Sequence, residues 1–319
     1  MAMDLSQVAA VENNKGEKNQ SIIGYLSWYS VGEANYDRNE LRKSFLSNDF
    51  EEGDLPNEIR ATDAFRRATK DIEMKRVETA QAGVYKNFIV RNVCNTDQII
   101  QRNIVEETVD SKGQTLSYKQ NEAILLFNKN TGIISKTIVN ESSMAEELAD
   151  EACKLFELYK TCHNGQAVRM AATDILKTMS PTPVRPSGGV YFIPAKHKNK
   201  LRRLVSFLNS LEKGEGFMIP LIRTDENRDM LQQKVLEHLQ GTLTSCQELA
   251  KQEKVPTAQF KILANEAKRV VADLADYREI VTEAQEKMDS YQELIIGAVE
   301  ALLDRAAEQS ANNKRRKSL

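Results

Sequence analysis

Lys177, Arg185, Lys196, Lys198, Lys200, Arg202 and Arg203 occur between positions 175 and 211 without a single Asp or Glu among them. Tyr191, Phe192 and His197 are interleaved with these cations. Clustered cations contact phosphates, and an aromatic ring among them offers a stacking surface for a base. Arg185, Lys196, Lys198, Lys200, Arg202, Arg203 and Tyr191 therefore form a candidate site for nucleic acid or for a phosphate group. The plainer alternative is a solvated helix face whose counter-charges lie elsewhere in the fold. Ser187-Gly-Gly189 does not strengthen the phosphate reading. It precedes a strand pattern rather than a helix, and the nearest Lys lacks P-loop spacing.

Other chemistries leave weaker traces. His163, His197 and His238 have no metal-ligand spacing to one another or to a cysteine pair, so no metal site is expected. Asp49, Glu51 and Asp54 lie in an acidic loop that does not match an EF-hand. With the basic stretch they would make a metal-dependent enzyme acting on nucleotides or nucleic acid, the alternative of a different class. No GxSxG, HExxH, Walker or GxGxxG pattern occurs. No catalytic residue and no cofactor is assigned, and the balance leans away from an enzyme.

Net charge is −2, so any attraction to an anionic partner has to be local. Cys94, Cys153, Cys162 and Cys246 form no CxxC pair, which fits a reducing cytoplasm. No apolar run approaches membrane-spanning length, and no membrane contact is expected. Residues 1–20 read as a polar, disordered lead-in, and 311–319 as a basic tail containing Lys314-Arg-Arg-Lys317.

The elements that must position these residues follow from periodicity. Ser21 to Val31, with the only Trp, reads as a buried strand. Asp37 with Glu40 has capping-box spacing for a short helix to about Phe45, and Thr62 is the expected cap of a second, to about Glu73. Period-two alternation from Gly83 to Asn140 describes an antiparallel meander of four or five strands, with Asn128-Lys-Asn-Thr-Gly132 as a hairpin loop. Helices follow over 144–162 and 167–179. Ser180 to Gly189 reads as a linker. Val190–Pro194, a basic helix over 196–211 and Phe217–Ile222 form a strand–helix–strand unit. Two such short strands cannot stand alone and are expected to join the earlier sheet.

Thr224 caps a helix over 225–252. Beyond it, Leu263, Ala267, Val270, Leu274, Tyr277, Val281, Ala284, Met288, Tyr291, Ile295, Ala298 and Leu302 recur in alternating steps of four and three. This 3.5-residue repeat keeps one seam facing a partner helix and predicts a single helix over 255–309, roughly 80 Å long. The expected architecture is α+β: a head at 21–222 with an antiparallel meander packed with helices, then a helical hairpin, a coiled-coil stalk, at 223–310. The hairpin's second arm outruns its first. Tyr291, Ile295, Ala298 and Leu302 are thus left for self-association or a protein partner.

Gly24 to Glu33, Ala61 to Thr69 and Gly188 to Pro194 resemble segments of an uncharacterised family of bacterial and phage proteins. The resemblance implies a prokaryotic or mobile-element origin and carries over no catalytic residue. The expected function is that of a non-enzymatic oligomerising or partner-binding protein, with DNA or RNA binding through 175–211 as the alternative.

Overall fold

A computed structural model describes residues 21–140, 143–252 and 255–317, excepting the side chains of residue 143 and of 311–317. The lead-in and the side chains of the basic tail lie outside this description. The fold mixes antiparallel sheets with eight α-helices among the described residues. The described residues divide into two compact units, those of 33–43 with 55–168, and those of 21–32, 44–54 and 169–317. The expected head at 21–222 is therefore not one body. Its last strands belong with the C-terminal helices, because the strands they pair with are the chain's first.

The meander unit contains β2 (Asn35–Asp37), α2 (Ala61–Asp71), β3 (Met74–Glu78), β4 (Val84–Asn95), β5 (Ile99–Asp110), β6 (Thr115–Asn128), β7 (Ile133–Ile138), α3 (Ser143–Thr161) and β8 (Cys162–Asn164). Strands β3 to β7 pair in sequence order as one antiparallel sheet, and β2 pairs with β8. Phe88, Ile100, Ile104, Leu125 and Phe127 pack against Phe65 and Ala68 of α2 and Ala149 and Phe156 of α3. Asp37 is the expected cap, its carboxylate accepting from Asn39 N at 2.8 Å and Glu40 N at 3.0 Å. Thr62 is not one. The N-cap of α2 is Arg60, with no side-chain hydrogen bond. Helix α1 (Arg38–Ser47) and helix α4 (Gly165–Lys177) each contain a unit boundary.

The bundle unit holds a four-stranded sheet of order β11–β1–β10–β9, formed by β1 (Ile22–Val31), β9 (Thr182–Pro183), β10 (Tyr191–Pro194) and β11 (Gly214–Ile222). The short strands thus flank β1 rather than joining the meander. Gly24 of β1 is required here, because a Cβ would come within 2.3 Å of the Phe192 ring. Helix α5 (Lys198–Asn209) buries Leu201, Leu204, Phe207 and Leu208. The expected linker at 180–189 is instead β9 and a hairpin loop. Val184 N donates to Val190 O at 2.9 Å, and Gly188 and Gly189 take positive φ.

The C-terminal region is three helices, α6 (Asp225–Lys251), α7 (Thr257–Asp273) and α8 (Gln285–Lys317). Thr224 caps α6, accepting from Asn227 N at 3.2 Å. The single long helix expected over 255–309 does not exist. A 3-10 turn at Leu274–Asp276 and the segment to Ala284 fold the chain back on itself. Helices α7 and α8 run antiparallel, with the Arg305 guanidinium over the Phe260 ring at 5.7 Å. The seam positions form one core with Leu231, Val235, Leu239 and Cys246 of α6. Among the described residues no helix is long and apolar enough to cross a membrane.

Candidate functional site

The residues of the predicted basic cluster differ in their partners. Lys196 Nζ and His197 Nε2 both bind the Asp276 carboxylate, the histidine at 2.8 Å. Arg203 donates to Asp49 O at 3.3 Å and lies over the Phe50 ring at 5.9 Å. Lys198, Lys200 and Arg202 take no ion-pair partner among the described residues, and Arg185 stands exposed on the β9–β10 loop. Tyr191 is half-buried in β10. The acidic loop reaches the basic helix through Asp49, whose carboxylate is 3.9 Å from Arg203. No group of three or more His, Cys, Asp or Glu converges to hold a metal among the described residues.

The predicted association seam faces inward. Ile295 and Leu302 are fully buried, and Tyr291 and Ala298 pack against the same core. The seam was expected to outrun its partner because α7 and α8 were read as one rod. Once the chain turns at 274–284, α6 and α7 supply all the cover.

What holds that turn is a polar cluster with no local sequence signal. Ser180 has a left-handed backbone, φ 51°, and its hydroxyl lies 2.6 Å from Asp276 Oδ2 and 3.2 Å from Asp273 Oδ1. Tyr277 donates to Ser180 O at 2.6 Å and accepts from Thr182 at 2.8 Å. Burial pushes the Asp276 carboxyl up, but hydrogen bonds from Lys196, Ser180 and His197 outweigh it and hold the group below the usual range. Asp273 goes the other way. Burial raises it, against the lowering effects of Arg269 and Ser180. Although Ser, His and Asp meet here, the wiring is not that of a nucleophile. Ser180 and His197 bind the same oxygen of Asp276, so no base is positioned to take the serine proton.

A groove of about 400 Å³ lies between α6 and α7 and is also lined by Pro183 to Pro186 of the hairpin. Lys234, Glu237, His238, Gly241, Thr242 and Ser245 of α6 line it at helical spacing, opposite Leu263, Glu266 and Val270 of α7. From Lys234 to Ser245 the wall is about 16 Å long at 1.5 Å per residue. Gly241 is the opening in that wall. A Cβ there would meet nothing within 4 Å, and its backbone is ordinary helix. A mid-helix glycine costs about 1 kcal/mol relative to alanine, and nothing in the packing demands this one. Lys234 is paired with Glu237 at 2.7 Å. Burial, with the Arg269 guanidinium second, pushes the His238 imidazole down to about 4, so at neutral pH the groove presents it uncharged. The groove was missed in the sequence, although a glycine inside an otherwise helical run was a usable signal.

Residues 22–308 match a family described as a family of unknown function, DUF6744. No curated protein matches the chain.

Proposed function

The chain belongs to the family of unknown function DUF6744, and we propose that it is a non-enzymatic binding protein that receives an amphipathic helix of a protein partner between α6 and α7. The observation that carries this reading is the groove itself. It is some three helical turns long, has an apolar floor from Val184, Leu263 and Val270, and has rim charges of both signs from Arg185, Lys234, Glu237 and Glu266. Such a shape suits a helix laid in a groove with anchors at i, i+3, i+4 and i+7. On this reading the 3.5-residue repeat builds an intramolecular coiled-coil bundle, which the partner helix extends. Gly241 permits close approach of that helix.

A display library of short random peptides, selected against the full chain, tests the proposal. Wild type and Gly241→Ala are expected to enrich the same peptides, with apolar residues at helical spacing. Gly241→Trp fills the groove and is expected to weaken their binding at least about tenfold, 1.4 kcal/mol. Selected peptides that bind the Trp variant equally well, or that show no helical period, would sink the reading.

A further inference from the structure

Helices α7 and α8 carry a second groove, on a face whose lining differs entirely from that of the first. It encloses about 230 Å³ and is lined by Lys268, Val271, Ile296, Val299, Glu300 and Leu303. Ile296 stands at its mouth, 43% exposed, immediately after the fully buried Ile295. The two isoleucines point to opposite environments because successive helical residues are about 100° apart. Lys268 and Glu300 flank the apolar strip with opposite charges. Neither takes an ion-pair partner among the described residues, and both are exposed.

We propose that a second copy of this chain docks on the α7–α8 groove, each copy inserting Ile296 and setting its Lys268 against the other's Glu300. The argument for a second copy over any other partner is charge complementarity under two-fold symmetry. An isologous interface requires a patch that complements itself. A two-fold axis running along the groove, parallel to the helices, lays α7 of one copy over α8 of the other. Each lysine then meets a glutamate, and like charges stay apart. Gly297, beside Ile296, is exposed with no atom within 4 Å of a built Cβ, so α7 of the other copy can come close to the α8 backbone. Self-association is thus carried by residues one helical step from the predicted seam, and it does not depend on the α6–α7 groove.

Sedimentation equilibrium of the full chain from about 1 to 100 µM reads the outcome directly. Wild type is expected to show a concentration-dependent dimer. Lys268→Glu and Glu300→Lys are each expected to weaken it at least about tenfold, since each places like charges opposite one another. Mixing the two single variants should restore association, because the heterodimer regains opposite charges at both contacts. Ile296→Asp should be monomeric, with a circular dichroism spectrum matching wild type. Gly241→Trp should dimerise like wild type, which separates this proposal from the groove reading. A monomeric wild type across the range overturns it. So do single charge variants that dimerise normally, or a mixture no more associated than its components.

Discussion

In the bundle unit the Asp276 carboxylate gathers Ser180, Lys196 and His197 from positions 79 to 96 residues away. In the meander unit Glu106 gathers Lys86, at 3.0 Å, and Lys119, at 3.2 Å, from the two strands beside its own. Both carboxylates are almost wholly buried, 8% and 4% exposed. Burial raises each of them, and the hydrogen bonds they accept pull each below the usual range. The difference lies in what they hold. Glu106 is paired in register with β4, and although the β5–β6 register shifts between Ile104 and Glu106, backbone pairing continues on both sides of that shift, so its ion pairs add to strands that are already joined. Its neighbour Glu122 even keeps one carboxylate oxygen buried without a hydrogen-bond partner. Asp276 lies in an irregular segment with no ladder, and its three donors are what fix the turn between α7 and α8.

The comparison predicts unequal costs. Asp276→Ala leaves the buried Ser180 hydroxyl and the half-buried His197 ring without their acceptor and is expected to destabilise by about 3–5 kcal/mol, because it removes three hydrogen bonds to a charged group. Glu106→Ala lets Lys86 and Lys119 return to water and is expected to cost about 1.5–3 kcal/mol, the value of hydrogen bonds to a charged group. Urea denaturation midpoints at constant slope decide the order. A larger cost at Glu106 would break the comparison.

A smaller effect distinguishes Asp273 from its neighbour by sign. The folded carboxyl of Asp276 is depressed, so its contribution is present above the unfolded value and lost as pH falls through the folded one. That of Asp273 is raised, so its contribution is present below the unfolded value and lost as pH rises through the folded one. Asp273→Asn removes the second dependence and can donate to the Ser180 hydroxyl, which has only one proton for two carboxylates. The variant is therefore expected to be more stable than wild type at pH 7, with the gain shrinking as pH approaches the ordinary carboxylate range near 4. Stability curves at several pH values measure it, and a gain that grows on acidification would refute the assignment.

The smallest effect is expected on α5. Replacing Lys198, Lys200 and Arg202 together with Gln should change stability by no more than about 0.5 kcal/mol, as for surface positions without partners. Arg203→Gln alone should cost more, because that guanidinium is engaged by Asp49 O and packs over Phe50. Paired thermal melts would show whether that order holds.

Much of the meander unit was legible in the sequence because period-two alternation and turn residues are local signals. Asp37 and Thr224 were recognisable as caps for the same reason, since a cap acts within one helical turn. The hairpin at 184–190 reads as a linker in the sequence because β9 and β10 are too short to show a period, and β10 is held in place by β1, far away in the chain. The candidate groove depends on α6 and α7 lying side by side, and only Gly241 hinted at it locally.

The C-terminal region divides the two kinds of information most sharply. The spacing of Leu263 to Leu302 by itself determined which side chains go inside: Ala267, Val270, Leu274, Tyr277, Val281, Ala284, Met288, Ile295 and Leu302 are all buried. It could not determine that the helix stops. Residues 274–284 contain neither Gly nor Pro, and a seam reads the same whether its partner is another chain or its own continuation folded back. In the folded-back arrangement Ser180, Lys196 and His197 offer Asp276 hydrogen bonds that an unbroken helix would forgo. Folding back also covers the seam with α6 and α7, and that apolar burial outweighs the few helical hydrogen bonds lost at the turn.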